Sequence, residues 1–505
     1  MARLQQQLSP RDKRLRVDSI ALRDFRAFPG PDEITIQLAT QHKRGTNLLL
    51  YGENGAGKSS LFEAFRGLFA RRPDPEFFKR EKNVFSGEPE AAAEVRVTFT
   101  DDSDPALWTI ASHPGRAGGD PRVIQTARRA AMLDYRALLD TNYGQGRKEP
   151  DFFSIAMNHL LADWPLASGD TLGELWEKTR REVPIKRWYG SNVQANSSSF
   201  NTEFAAAVDA LKPFAQSLLR DLLGDAVSLD NLTYGTVYYD DAHQRRDRGF
   251  KGCSLKPRIT YRAYGLRQPQ FFLNEAKQSA LALAIYLSAR LACTQQAPEA
   301  APKLIVLDDL LIGLDQSNRL PVLDVLMGHF SDWQIVLLTH DRVWFEMAKA
   351  HLQPSTDWTY LELHEAPTSA STSMPAVRQV GPAAADTALD QAEAFLDDGH
   401  IAAAATYART AFELGIRSWA ERGSVPVRFR VDPRHVSTDD LISAIRQKKA
   451  NDPNSDPARA LRSVEMFRST VLSPLSHATP PHIVKFEVQG AIAAVRNMLT
   501  VSRRN

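Results

Sequence analysis

Residues Gly52-Glu53-Asn54-Gly55-Ala56-Gly57-Lys58-Ser59 fit the pattern G-x-x-x-x-G-K-[ST] at every fixed position. The glycines let successive backbone N–H groups curl around phosphate oxygens, and a helix starting at the end of the run adds its positive dipole end. Lys58 is spaced to reach the β and γ phosphates and Ser59 to ligate magnesium. Gly52, Asn54, Gly55, Ala56, Gly57 and Ser60 complete the expected cradle. The chemistry implied is the binding of a nucleoside triphosphate, ATP with Mg2+. A second stretch supplies the acids such a site needs. Leu304-Ile305-Val306-Leu307 is a run of four aliphatics that ends in Asp308 and Asp309, as a buried parallel strand with carboxylates at its C-terminal edge would read. Asp308 is then the metal acid, acting directly or through water. Asp309 is the group that orients or deprotonates the attacking water.

The surrounding pattern supplies the elements that must hold these residues. Thr46–Tyr51 reads as a strand leading into the glycine run, and Ser60–Phe65 as the helix leading out. Alternating apolar residues at Ile20 and Leu22, at Ile34, Ile36 and Leu38, at Val95, Val97 and Phe99, and at Trp108 and Ile110 predict further strands. Residues 17–126 are therefore a first lobe, preceded by a basic tail over 1–16. Residues 127–225 read as a helical insertion, with helices around Ala131–Tyr135, Phe152–Ile155, Leu172–Trp176 and Phe204–Leu223. A second lobe, 226–365, resumes with strands at Leu232–Tyr239 and Arg258–Tyr264. It continues through a helix over Glu275–Leu291 and short buried strands at Leu304–Leu307 and Gln334–Leu338. Residues 366–385, rich in Ala, Pro, Ser and Thr, read as a linker, and 386–505 as an all-α domain with its own apolar faces.

Bulk composition narrows the class. The 505 residues are 43% hydrophobic and 24% charged, which is ordinary for a multidomain globular chain. Two cysteines, Cys253 and Cys293, exclude a disulfide framework or a cysteine zinc site. No apolar run approaches the ~18 residues of a membrane span, and the N-terminus carries no signal-peptide core. A cytoplasmic location with no membrane contact is expected. The net charge of +2 gives no global pull toward nucleic acid.

Three further features follow the two acids or precede them in a telling order: Phe272-Leu273-Asn274-Glu275-Ala276-Lys277, then Gly313-Leu314-Asp315, then Thr339-His340-Asp341. With the opening Ile20–Phe28, this order resembles the ABC-type ATPases of the SMC, Rad50 and RecF group over about residues 17–365. The resemblance implies an α/β Rad50-like ATPase head with a short helical insertion, joined to the C-terminal helical domain. It implies a homodimer or higher homo-oligomer in which ATP is the glue, the P-loop of one head facing the signature segment of another. On that resemblance Asn274 and Lys277 belong to the signature, Asp315 is the D-loop acid, His340 the switch histidine and Gln125 the Q-loop glutamine. Two departures stand out. The signature's usual serine and glycine are replaced by Asn274, Glu275 and Ala276, and the usual catalytic glutamate by Asp309. Both suggest slow turnover, a switch rather than a motor. The insertion is too short for a coiled-coil arm, and the wording of the head looks most like compact ATPases of anti-phage systems. The expected role is then control of a toxic nuclease, carried by the tail or by a separate partner. The competing role is a RecF- or Rad50-like DNA-repair or recombination ATPase.

In the tail, Arg409 and Glu413 stand at i, i+4 on one helical face, and His477 follows a proline break. This set resembles the catalytic residues of HEPN-like anticodon nucleases. An intrahelical ion pair in a docking or dimerisation domain accounts for the same residues. Arg245, Arg246, Arg248 and Lys251, in a stretch that also holds Phe250, offer phosphate contacts to DNA or tRNA.

Overall fold

The computed structural model describes residues 14–40, 43–87, 89–134, 151–182, 192–241, 248–266, 272–295, 302–310, 314, 316–352, 357–367, 373–379, 384–427, 436–472 and 484–504. They form two compact units, one holding most of residues 1–377 and the other most of 378–505.

The first unit is built on a six-stranded sheet. Its order is Ser373–Gln379, Trp358–Pro367, Asn47–Gly52, Gln334–Thr339, Leu304–Asp308, Ala130–Asp134. The last four run parallel. Asn47–Gly52 and Leu304–Asp308 are buried at every position, which is why they read as unbroken apolar runs rather than alternating ones. A second, antiparallel sheet has the order Ile34–Gln37, Val17–Arg23, Glu94–Phe99, Ala106–Thr109. Its alternation is the one expected of a sheet with one covered face.

One side chain ties the two sheets together. Gln334 is buried at the start of its strand. Its Oε1 accepts from the Val17 N–H at 2.8 Å, and its Nε2 donates to the carbonyls of Val17 at 2.7 Å and Thr46 at 2.9 Å. Nearby, Asn47 Oδ1 accepts from the Ile335 N–H at 2.9 Å. These amides satisfy backbone groups that no strand partner reaches, where an unmet group is costly.

The insertion contains the helix Leu172–Arg181, held at its start by a Thr171–Glu174 capping box, and the helix Val193–Leu223. The latter starts eleven residues before the Phe204 expected from the sequence. Ala131–Asp134 is not helical: Ala130–Asp134 is a strand paired with Leu304–Asp308. A buried parallel strand and a short helical segment both present a compact apolar run, and periodicity over five residues does not separate them. The expected linker is also partly strand. Trp358–Pro367 and Ser373–Gln379 pair as the outer edge of the six-stranded sheet, since Ala, Ser and Thr are tolerated at an edge although they resemble a linker in composition. A three-stranded sheet, Val227–Tyr234, Leu255–Tyr261 and Tyr264–Leu266, precedes the buried helix Glu275–Thr294.

The second unit is a bundle: Ala384–Asp397, Ile401–Arg422, Thr438–Lys449, Asp456–Phe467 and Lys485–Arg504. Leu389, Phe412, Ile416, Trp419, Ile445, Leu461, Val495 and Met498 fill its core. Ser437 and Ser455 cap two of its helices. Among the described residues, no helix is long and apolar enough to cross a membrane.

Gln334→Leu keeps the volume and removes the clamp between the sheets. It should cost about 2–4 kcal/mol of head stability, read by chemical denaturation.

Candidate functional site

The parallel sheet brings the two chemical motifs to one edge. Asn47–Gly52, Gln334–Thr339 and Leu304–Asp308 end side by side, so the glycine loop, Asp308 with Asp309, and His340 all emerge there. Gly55 and Gly57 hold φ of 90° and 103°, a region that side chains other than glycine disfavour. A Cβ on Gly57 would also lie 3.1 Å from Pro375 Cγ. The helix Lys58–Leu68 starts on Gly57 with no side chain capping it. Its first-turn N–H groups are therefore uncommitted to any cap, as an anion site requires.

Lys58 is 4% exposed, and its Nζ donates to the carbonyls of Gly52 at 2.6 Å and Glu53 at 3.0 Å. Burial pushes its ammonium below the usual lysine range, while Asp309 and Asp308 pull it back up. Asp308 is also 4% exposed. Burial first, then the neighbouring Asp309, push its carboxyl up to about 6, against the Ser59 hydroxyl hydrogen bond and the Lys58 charge. Asp308 Oδ1 is buried with no hydrogen-bond partner. An unmet carboxylate oxygen beside a hydroxyl is a hard oxygen donor set suited to Mg2+, which keeps most of its shell for water and phosphate. Among the described residues no cluster of three or more His, Cys, Asp or Glu could hold a metal. The unpartnered Asp308 oxygen beside the Ser59 hydroxyl fits a magnesium site completed by phosphate and water, with these two as the residues that could hold the ion.

Asp309 takes φ of 51°, a strained value for aspartate. Its own N–H donates to the Leu338 carbonyl at 3.0 Å, and its Oδ1 accepts from the His340 N–H at 2.8 Å. His340 Nδ1 lies 2.9 Å from that same oxygen. It lies outside hydrogen-bond alignment, so the ring stands beside the carboxylate without making a second bond. Asp341 caps the helix Arg342–Leu352 by accepting from the Trp344 N–H at 3.0 Å, and it takes Arg319 at 2.6 Å. The cap, then Arg319, hold its carboxyl below the usual range.

Other expected residues are placed as follows. Ala56 is buried, while Asn54 and Ser59 are exposed at the loop mouth. Ser60 faces away from the loop, accepting from the Ala27 N–H at 3.3 Å. Asn274 is the N-cap of Glu275–Thr294, its side chain accepting from the Lys277 N–H at 3.1 Å. Glu275 is exposed. Gln125 is exposed on the helix Pro121–Ala127, ahead of the strand Ala130–Asp134. The parallel order assigns it to the opposite edge of the sheet, so it is not brought to the phosphate loop. Asp315, His477, Arg245 and Arg246 lie outside the described residues. Arg409 pairs with Glu413 at 2.9 Å, both about one third exposed. Arg248 faces Asp241 at 3.4 Å, and Lys251 is exposed. Phe250 is no free stacking surface, because its ring packs 5.0 Å from Trp176 and 5.4 Å from Tyr239.

Sequence reasoning missed Asp134. It stands in register with Asp308 and adds to the forces that raise its carboxyl. The signal was the same as at Asp308, an apolar run closed by an acid.

Residues 19–155 match the AAA domain family. No curated protein matches the chain. Among solved structures, an SMC head bound to the C-terminal winged-helix domain of ScpA is similar with TM-score 0.35 and 13% identity, covering 72% of this chain and 98% of that one. A Pyrococcus furiosus Smc head with an extended coiled coil, bound to the C-terminal domain of ScpA, gives 0.36 and 12%, covering 76% and 100%. The recombination mediator RecF with ATP gives 0.39 and 13%, covering 73% and 98%.

Asp341→Ala should cost about 1 kcal/mol at pH 7, the usual worth of a cap. A lowered carboxyl contributes stability that is present above its ordinary value near 4 and lost as the pH falls through its lower folded value. The gap between Asp341→Ala and the parent should therefore close below about pH 4 in thermal melts.

Proposed function

We propose that this chain, an ATPase of the SMC, Rad50 and RecF type with an AAA-family N-terminal region, binds ATP with magnesium, hydrolyses it slowly and pairs with a second copy on the nucleotide. The observation that carries the reading is the meeting of Lys58, Ser59, Asp308, Asp309 and His340 at one edge of a parallel sheet. The uncapped helix N-terminus receives the phosphates, and Lys58 exchanges its two loop carbonyls for phosphate oxygens. Ser59 and Asp308 would hold the magnesium, which would neutralise phosphate charge. Asp309 is positioned to hold the attacking water and take its proton, and His340 stands beside the same carboxylate oxygen.

Slow turnover has a physical basis. Asp309 Oδ1 is already committed to the His340 N–H, and its side chain is one methylene shorter than glutamate. Such a site suits a device that dwells in the ATP state. We assign that dwell the role of a switch in anti-phage defence, restraining or releasing a nuclease. The first carrier of that activity is the tail itself, with Arg409 and Glu413, paired on one helix and about one third exposed, and His477 as the third member of the set. A separate effector nuclease is the other carrier of the activity.

Lys58→Ala should weaken binding of a fluorescent ATP analogue about 100-fold or more. Asp309→Ala should keep binding, lower hydrolysis about 100-fold or more, and accumulate the paired form. Hydrolysis equal to the parent in both variants rejects the site. In cells, His477→Ala should relieve growth arrest and tRNA cleavage if the tail is the nuclease. Arrest that persists in this variant assigns the activity to a partner.

A further inference from the structure

A small cavity lies between the ends of the parallel strands and the helices Gln316–His329 and Arg342–Leu352. Leu307 and Leu337 give it apolar walls, while Asp309, Thr339 and Asp341 bring polar groups to it. It leaves about 20 Å³ for the centre of a water molecule, and ~10–15 Å³ is enough for one. Trp344 lines the same cavity. Its backbone N–H donates to Asp341 Oδ1 at 3.0 Å, and the residue is 4% exposed. Its indole Nε1 is buried with no hydrogen-bond partner among the described residues. An unmet buried donor is costly, and in a polar cavity water commonly meets it. Trp344 and Arg319 also line a groove on the outer side, beside the exposed Val343 and Met347. The Arg319–Asp341 ion pair thus stands where water would pass from that groove to the cavity.

We propose that Trp344 is a positioning residue for hydrolysis: its indole N–H donates to one buried water, and that water donates to the Asp309 carboxylate. The proposal rests on the reading of Asp309 given above, as the group that holds the attacking water. The chemistry of the cavity selects its occupant. The indole offers a donor and no acceptor, which disfavours a cation. Asp309 and Asp341 disfavour an anion. Water can accept from the indole and donate to a carboxylate at once. Asp309 has need of such a restraint. Its φ of 51° is strained, and its Oδ1 is held by the His340 N–H at 2.8 Å. One bond on one oxygen leaves the carboxylate free to rock, and a small misplacement of a reacting group is costly to rate. Arg319 does not supply the second grip. Its Nη1 donates to Asp341 at 2.6 Å and its Nε to the Leu314 carbonyl at 3.1 Å. A neutral water orients Asp309 without the direct ion pair that would weaken it as a base.

Trp344→Phe keeps an aromatic ring and removes the N–H. In the full chain with ATP and magnesium it should lower kcat about tenfold while leaving KM within about twofold of the parent. The same change is then made in the Asp309→Ala background. There it should cause no further loss of the residual rate, because the water no longer has a carboxylate to hold. A further tenfold loss in that background assigns the effect to packing and overturns the proposal. Should Trp344→Phe fail to fold, a crystal structure of the parent decides. An ordered water within about 3.2 Å of both Trp344 Nε1 and an Asp309 carboxylate oxygen supports the bridge. No water there, or one bonded only to Thr339 or Asp341, overturns it. If Asp309→Ala hydrolyses ATP like the parent, the reading of Asp309 falls and the role of Trp344 falls with it. If Asp309→Ala is inactive while Trp344→Phe turns over like the parent, the role of Trp344 alone is lost.

Discussion

Two opposite charges buried almost out of water set the terms for the rest of the head. Lys58 and Asp308 are each 4% exposed, yet they come from a helix start and a strand end far apart in sequence. Desolvation works against both ionised forms, driving the ammonium down and the carboxyl up. Each is kept in place by a few short contacts: two loop carbonyls for the lysine, one hydroxyl for the aspartate. A triphosphate with its metal would satisfy both at once, because it brings negative charge to the lysine and positive charge to the carboxylate.

Holding those groups together demands a rigid floor, and the sheet supplies it. Side-by-side strand ends fix the spacing between loop, acids and histidine, while the buried amide of Gln334 binds the neighbouring sheet to this one and that of Asn47 ties two strands within it. The close approach at Gly52, where an added Cβ would meet the Leu363 carbonyl at 3.1 Å, presses the loop against the strand Trp358–Pro367. Pro375, whose Cγ would meet a Cβ on Gly57 at 3.1 Å, brings residues that look like spacer in composition into the support of the phosphate loop.

The strongest parts of this design were legible in the sequence because they rest on local chemistry. The glycine pattern, the strand ending in Asp308 and the turn into His340 each announce themselves within a few residues. The misreadings share a different cause. Ala130–Asp134 becomes a strand through a partner far along the chain and Ser373–Gln379 through the strand just before it, and their own composition argues weakly or the other way. Asp134 was overlooked for the same reason, since its proximity to Asp308 exists only after pairing. Gln125 shows the reverse error. A suitable residue type was present, but it precedes the strand Ala130–Asp134, whose direction leaves it at the other edge. Phe250 stands in the same basic stretch, and packing on Trp176 occupies its ring.

The helix Val193–Leu223 contains 31 residues, about 46 Å at the standard rise. It packs along Glu275–Thr294, the helix that begins at Asn274. A rod of that length is a lever: a tilt of ~5° about one end sweeps the other by ~4 Å. A displacement too small to see at the nucleotide can thus become a movement the width of a side chain at the far end of the insertion.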